Sequence, residues 1–160
     1  RRKEGGARIA AVGGRVVAVV RDRRWNRTKL AWDAIVLGRG IFCDEEPANA
    51  VRAEYNAGVT DEFMPALIFA APNEERVRDG DVVLFFNFRA DRARQLSLAF
   101  LRDDFDGFDR EVHPAIHYLT LTQYDATYPS PFVFAPASFP RILGEFVSAA
   151  GRQQRRIPET

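Results

Sequence analysis

Apolar residues occur in short runs that alternate with polar segments, and the clearest transition lies within residues 81–101. An uninterrupted apolar run at 82–86 is followed by the polar sequence NFRADRAR and then by Leu96, Phe100 and Leu101. Such a run is typical of a strand buried on both faces, whereas the later residues have the spacing of an amphipathic helix. The pattern predicts a buried strand followed at once by a helix.

Arg89 and Arg92 lie at this predicted junction of strand and helix. In an open α/β sheet, ligands bind beyond the carboxyl ends of the strands, where the amide groups of a following helix attract anions. Two guanidinium groups at such a place suit a phosphate or a carboxylate, because both anions accept paired hydrogen bonds from arginine. The junction therefore predicts an anion-binding site.

The rest of the chain divides by the same patterns. Apolar runs bounded by turn residues predict strands at 7–14, at 16–20 as an extension of the first or a second strand, at 67–69 and at 116–123. Helical spacing predicts a helix over 30–37 ended by Gly38, one begun by 44–47 and ended by Gly58, and a last one capped by Ser138 and ended by Gly151. The charged segment 103–114 and the proline-rich segment 124–136 are predicted to be irregular, and 155–158 to begin another strand.

Strands that alternate with helices predict the α/β class, specifically a three-layer α/β/α sandwich with a mostly parallel sheet. A length of 160 residues and a hydrophobic content of 46% suffice for one domain with a core, so we expect a single domain over 1–160. The chain begins without Met and ends where a strand is predicted to begin. We expect it to be a piece of a longer polypeptide.

The composition argues against nucleic acid and membranes as partners of this chain. The 23 Lys and Arg residues against 22 Asp and Glu residues give a net charge of +1, so no overall field attracts nucleic acid or a membrane surface. No apolar run approaches the roughly 20 residues of a membrane span, and no signal segment opens the chain. A cytoplasmic protein is expected. The lone Cys43 excludes an internal disulfide framework and is expected to be a packed or surface thiol.

The sequence contains no familiar catalytic or metal-binding motif. His113 and His117 fall in a predicted loop and a predicted strand, so they do not share a helical face as a zinc pair would. The aspartates within 103–109 lack the spacing of a calcium loop. Gly13-Gly14 belongs to neither a dinucleotide fingerprint nor a P-loop. Arginines remain as candidates, and the aromatic and basic run at 21–27 leaves a nucleic-acid contact open but disfavoured.

Five segments spread over nearly the whole chain carry a more specific signal. They are GRVVAVVRDRRWNRTKLAWDAIVLGRG at 14–40, DEFMP at 61–65, DGDVVLFFNFR at 79–89, NFRADRARQL at 87–96 and LTQYDATYP at 121–129. In order and spacing these segments resemble the cofactor-independent phosphoglycerate mutases, which carry a GRYYAMDRDxRWxR segment and a near-identical NFRADRAR.

The resemblance implies a two-domain isomerase of the alkaline-phosphatase superfamily. Such an enzyme interconverts 3-phosphoglycerate and 2-phosphoglycerate in glycolysis and gluconeogenesis without 2,3-bisphosphoglycerate. A phosphatase domain with two Mn²⁺ ions supplies the serine that takes up the phosphoryl group, and an inserted phosphotransferase domain holds the glycerate. The chain resembles part of the inserted domain. We therefore expect no catalytic residue and no metal ligand within it, and no turnover by the chain alone.

Carried over residue by residue, the family's substrate-binding arginines fall on Arg15, Arg21, Arg89 and Arg92, with Asp91 orienting a guanidinium or capping the helix. One difference is informative. Where the family has two tyrosines and then Met-Asp before the second arginine, this chain has valines at 16, 17, 19 and 20. The loss of the acidic residue removes a partner for Arg21. The alternative function is therefore a non-catalytic binding module for metabolites that carry phosphate and carboxylate groups.

Overall fold

A computed structural model describes residues 6–69, 76–155 and 157, and it belongs to the α/β class as predicted. The strands are β1 (Ala11–Val12), β2 (Ile41–Phe42), β3 (Leu67–Ile68), β4 (Val82–Phe85), β5 (His117–Thr122) and β6 (Phe132–Phe134). The helices are α1 (Arg15–Ala18), α2 (Trp25–Trp32), α3 (Pro47–Asn56), α4 (Ala90–Leu101) and α5 (Leu143–Ala149). A π-helical turn, Asp33–Leu37, continues α2. The strand predicted at 155–158 includes residues 156 and 158, which lie outside the described residues.

The described strands form two three-stranded sheets with mostly parallel pairing. In the first sheet the order is β1-β3-β2, with β1 antiparallel and β2 parallel to β3. In the second sheet the order is β4-β5-β6 and both pairings are parallel, so that Leu84 lies beside Leu119 and Thr120 beside Phe132. The carboxyl ends of β4 and β5 therefore lie at the same edge, and α4 follows from that edge.

The main core lies where α2 and its π-helical turn meet α4 and β5. Trp32 is fully buried, and its ring centroid lies 4.6 Å from that of Phe100, which in turn lies 5.5 Å from that of Tyr118. The polar atoms in this core have partners. The Trp32 indole N–H donates to the carbonyl of Arg110 at 3.1 Å, and the hydroxyls of Ser97 and Tyr118 are 2.9 Å apart. Helix α4 is thus held from two sides.

One face of the second sheet is open to solvent. Along β4, Val83 and Phe85 pack against the core, whereas Val82 and Leu84 are 68% and 48% exposed and the following Phe86 is 77% exposed. The prediction of a strand at 82–86 is confirmed for β4, but burial on both faces is wrong for this chain. The apolar run has the composition of a strand covered on two sides, and the described residues cover only one.

The strand predicted at 16–20 is wrong, because Arg15–Ala18 forms α1 and residues 19 and 20 belong to no strand. The amide groups that would enter a β-ladder are used elsewhere: the N–H of Gly14 donates to Met64 O at 2.9 Å and that of Val16 to Glu62 O at 3.0 Å. The loop carbonyls thereby satisfy the free amides at the start of a helix. Valine content favours a strand, but this tertiary contact decides the conformation.

Two predictions in the last third also need correction. Residues 124–136 are not wholly irregular, because β6 pairs there with the edge of β5, and Pro131 enters the pairing only as an acceptor from the N–H of Thr120 at 3.1 Å. Ser138 does not cap the last helix, which begins at Leu143 with Ile142 as its N-cap residue. Arg141, with φ of 63°, separates Ser138 from the helix.

We predict that Gly14→Ala destabilises the fold by more than about 1 kcal/mol, the lower range for an overpacked site. A Cβ at position 14 would lie 2.6 Å from both Asp61 O and Met64 N, which are backbone atoms that cannot move aside independently. Gly13→Ala is the matched control, because its Cβ would lie no closer than 3.7 Å to Val17. Urea denaturation of both variants tests this, and equal stability of the two would contradict the close contact.

Candidate functional site

A cleft of about 170 Å³ lies where α1, the segment leading into α2, and α4 meet the loop at 61–64. Its lining is unusually rich in arginine. The residues are Arg15, Val16, Val19, Val20, Arg21, Asp22, Arg24, Arg27, Glu62 and Arg92. Five guanidinium groups against two carboxylates leave an excess of positive charge, so the arrangement suits an anion with several acceptor oxygens.

Arg15 enters the cleft from the first position of α1. Gly14 lets the backbone of this helix lie directly against the loop at 61–64, and the Arg15 guanidinium pairs with the carboxylate of Glu62 from that loop. The two side chains are 47% and 41% exposed, which leaves the ion pair open to water. An anion in the cleft can therefore take over donors of Arg15 without first breaking a buried pair.

Arg21 lies in a turn between α1 and α2 whose backbone is strained. Asp22 and Arg23 follow one another with φ of 69° and 52°, although neither is glycine. Two consecutive residues in the left-handed region require support from the surrounding structure, and such strain is concentrated at functional sites. The Arg21 Nε lies 3.6 Å from an oxygen of Asp22, so the turn supplies the partner that position 20, a buried valine, does not.

Arg92 connects the first turn of α4 to this segment. Its Nη1 donates to the carbonyl of Val19 at 3.4 Å, across 73 residues of sequence. The contact joins the α4 end of the cleft to the wall that carries Arg21.

Arg89 and Asp91 lie at the start of the same helix but do not line the cleft. Arg89 is the N-cap residue of α4, and its Nε and Nη2 donate to the two carboxylate oxygens of Asp91 at 2.7 and 3.1 Å. This paired contact, together with the nearby backbone N–H of Arg92, lowers the pKa of the Asp91 carboxyl below its ordinary value. The side chain of Asn87 closes the turn by accepting from the N–H of Arg89 at 3.2 Å.

Of the five site residues predicted from the sequence, the structure brings Arg15, Arg21 and Arg92 into one cleft. It adds Arg24 and Arg27, whose signal was the basic run at 21–27, and Glu62, which lies in the segment DEFMP. Composition alone does not distinguish these arginines from solvated ones, because only the fold brings them to the same cleft as Arg15 and Arg92.

A larger cavity of about 550 Å³ lies between the two sheets, and its lining is mainly apolar. Its charged residues are Arg8, Arg76 and Asp81, and the Nε of Arg76 is buried without a hydrogen-bond partner. The cavity is less suited to a doubly charged anion than the arginine cleft, which gathers more cationic groups in a smaller volume. We therefore place the candidate site at the arginine cleft.

Other kinds of site are not indicated by the described residues. Within 6–69 and 76–155, no three His, Cys, Asp or Glu side chains come together in a way that could hold a metal ion. None of the helices found there combines the length and the apolar character needed to cross a bilayer. His113 instead has its Nε2 at 2.9 Å from the carbonyl of Phe100.

Comparisons with known proteins agree on one relationship. Residues 1–126 match the family model described as the BPG-independent PGAM N-terminus. The chain is 62% identical over 155 residues to the 2,3-bisphosphoglycerate-independent phosphoglycerate mutase of Akkermansia muciniphila, a match that covers 97% of this chain and 30% of the relative. It is 46% identical over 162 residues to phosphoglycerate mutase 2 of the same type from Methanosarcina acetivorans, covering 99% and 31%.

A solved structure shows the same likeness. The chain resembles Leishmania mexicana phosphoglycerate mutase, crystallised at low cobalt concentration, with a TM-score of 0.77 and 31% sequence identity. This match covers 91% of the chain and 28% of the crystallised protein. The chain thus spans about 30% of the length of the relatives it matches.

We predict that Arg89→Gln raises the pKa of the Asp91 carboxyl toward its ordinary value, because the largest cause of the lowered pKa is the hydrogen bond from Arg89. A carboxyl pKa that is lower in the folded state contributes stability above the unfolded pKa and loses it as the pH falls through the folded pKa. Carboxyl ¹³C NMR titration measures the pKa directly. The Asp125 carboxyl, whose lowered pKa comes from Thr127, is the internal control and should not move.

Proposed function

The chain belongs to the family of 2,3-bisphosphoglycerate-independent phosphoglycerate mutases, and we propose that it is the substrate-holding part of an enzyme that interconverts 3-phosphoglycerate and 2-phosphoglycerate. The observation that carries this proposal is the cleft in which Arg15, Arg21 and Arg92 converge from separate elements. The parent protein is on this view an isomerase that works without 2,3-bisphosphoglycerate, in glycolysis and gluconeogenesis in the cytoplasm.

The charge pattern of the cleft suits a phosphoglycerate. This substrate carries a phosphate and a carboxylate a few bonds apart, and guanidinium groups bind both anions through paired hydrogen bonds. Arginines that approach from α1, from the strained turn and from α4 can fix the two ends separately. Arg89, paired with Asp91 at the start of α4, is proposed to contact the substrate from outside the cleft lining. Phosphoryl transfer depends mainly on such positioning and on charge neutralisation.

The bond-breaking groups are proposed to lie elsewhere in the parent polypeptide. A serine that forms a phosphoserine intermediate and two Mn²⁺ ions would belong to a phosphatase domain that partners this chain, which itself forms part of the phosphotransferase domain. The described residues do not fit a metal ion, because they contain no cluster of His, Cys and carboxylate side chains. On this proposal the chain binds and orients the substrate.

A second candidate function is a non-catalytic module that binds metabolites with phosphate and carboxylate groups. It is favoured by the valines at 16, 17, 19 and 20, of which Val17 and Val20 are buried and give Arg21 no polar partner. Both candidates require the arginine cleft to bind the anion. They differ only in whether the bound molecule can be turned over when the rest of the polypeptide is present.

We predict that Arg15→Gln and Arg92→Gln each weaken the binding of 3-phosphoglycerate to the chain by about tenfold to a hundredfold, the usual range for hydrogen bonds to charged groups. Isothermal titration calorimetry measures the dissociation constants. Arg102→Gln is the control, because Arg102 follows the last residue of the same helix and pairs with Asp104 away from the cleft. Equal affinity of all three variants and the unaltered chain would contradict the proposed site.

We predict that the chain alone does not interconvert the two phosphoglycerates, even with added Mn²⁺, in an assay followed by ³¹P NMR. Turnover by the isolated chain would show that the proposed division of labour is wrong. A chimera separates the two candidate functions: this chain replaces the matching 155-residue segment of the Akkermansia muciniphila relative. Turnover by the chimera supports the enzyme, whereas binding without turnover supports the module.

A further inference from the structure

Gln95 is a buried polar residue on α4 that lies under the strained turn of the arginine cleft. Its side chain is 6% exposed, on a helix whose other buried residues are mostly apolar. The amide meets a carbonyl and an N–H of the turn, which determines its orientation. Its nitrogen donates to Val20 O at 3.0 Å and its oxygen accepts from Arg23 N at 2.7 Å. The hydroxyl of Thr28, on α2, lies 3.5 Å from the same amide.

The two backbone groups that Gln95 contacts flank Arg21 and Asp22. One amide side chain therefore holds both ends of a four-residue turn in which Asp22 and Arg23 have φ of 69° and 52°. Arg92 lies three residues earlier on α4, on the same side of the helix, and donates to Val19 O at 3.4 Å. Helix α4 thus contacts the segment that carries Arg21 through two neighbouring side chains, Arg92 and Gln95.

Local contacts within the turn do not explain how it keeps this shape. The side chain of residue 20 is a buried valine and offers no hydrogen bond, while the pair between Arg21 and Asp22 lies at 3.6 Å and is open to water. Consecutive left-handed residues other than glycine persist only where the surroundings hold them. Because the Gln95 amide satisfies a donor and an acceptor of this backbone from the buried side, it supplies that support.

We infer that Gln95 is a positioning residue of the anion site, which acts by holding the turn at 20–23 so that Arg21 faces the cleft shared with Arg15 and Arg92. This inference rests on the proposed function, since the cleft must bind the anion for the position of Arg21 to matter. Gln95 does not touch the ligand. Its loss removes two hydrogen bonds of the turn and lets Asp22 and Arg23 relax, which turns Arg21 away.

The test compares Gln95→Met with the unaltered chain. Methionine has a similar length but neither the donor nor the acceptor, so we expect the dissociation constant for 3-phosphoglycerate to rise about tenfold. The Arg23 amide, which now lacks its acceptor, should exchange with solvent deuterium faster. Gln95→Glu retains an acceptor for Arg23 N–H but as a carboxylate cannot donate to Val20 O, so its affinity should also fall below that of the unaltered chain.

Ser97→Ala is the matched control for loss of a buried hydrogen bond. Ser97 is on the same helix, is fully buried, and contacts Ala93 O and the Tyr118 hydroxyl rather than the turn. A purely structural role for Gln95 predicts that Ser97→Ala and Gln95→Met lower the unfolding midpoint and the affinity in parallel. A positioning role predicts that the Gln95 variants lower the affinity whereas Ser97→Ala does not, and that Gln95→Met also speeds exchange at Arg23.

The outcomes separate the inference from the proposed function. If Gln95→Met keeps its affinity while Arg15→Gln loses it, the cleft binds the anion but Gln95 does not position it. If Arg15→Gln also keeps its affinity, the proposed function itself fails. Should Gln95→Met not fold, Gln95→Glu decides the question through its lost donor to Val20 O, and unchanged affinity in that variant would overturn the inference.

Discussion

The arginine cleft depends on how the backbone of residues 14–24 is held, because this segment carries three of its five guanidinium groups and has little regular structure of its own. At one end Gly14 lies against the backbone of the loop at 61–64, where any Cβ would meet main-chain atoms at 2.6 Å. At the other end Arg92 and Gln95 hold the turn from α4. The position of α4 is set in turn by the core around Trp32 and Phe100. The candidate site is thereby coupled to the main hydrophobic core.

Gathering five arginines at one place is electrostatically unfavourable, and the structure shows how this is tolerated. Glu62 pairs with Arg15 and Asp22 lies near Arg21, but both contacts involve side chains that remain 41% to 62% exposed. Exposed pairs of this kind add little stability because water screens them. Part of the positive charge is therefore left available, and a bound anion relieves the repulsion among the guanidinium groups. If the cleft binds the proposed anion, this arrangement favours affinity for the anion over the stability of the free protein.

The sequence predicts those elements of the fold whose conformation is set by neighbouring residues, and it misses those that depend on contacts with distant residues. The junction of β4 and α4, and the helix ends near Gly38, Gly58 and Gly151, follow from apolar spacing and from glycines with φ of 62°, 84° and 68°. The helix at 15–18 does not, because its amides bond to a loop some 47 residues away. β6 has the same difficulty, since a short edge strand after Pro131 depends on β5 being in place to pair with it.

The residues of the candidate site likewise divide into those recognisable from the local sequence and those that only the fold brings into place. Arg89 and Arg92 are recognisable from their place after a strand, and the resemblance adds Arg15 and Arg21. Gln95 carries no such signal, because a single glutamine within a helix is most often a solvated residue, and only the fold brings the turn at 20–23 over it. At the turn that carries Arg21, where position 20 offers no acidic side chain, the Gln95 amide contacts Val20 O and Arg23 N instead.

Because buried contacts hold the turn at 20–23 in place, less binding free energy is needed to order Arg21. A ligand that must first order a mobile arginine loses part of its binding free energy in doing so, whereas a turn held by buried contacts is ordered before the ligand arrives. Because Gln95 satisfies both ends of the turn from the inside, the surface side chains remain free to contact an anion. A valine at position 20 is then compatible with an oriented Arg21, since a polar side chain there would duplicate a restraint that α4 already supplies. For a chain whose proposed task is to hold a substrate while other groups break its bonds, this order of the backbone matters as much as the charge of the arginines.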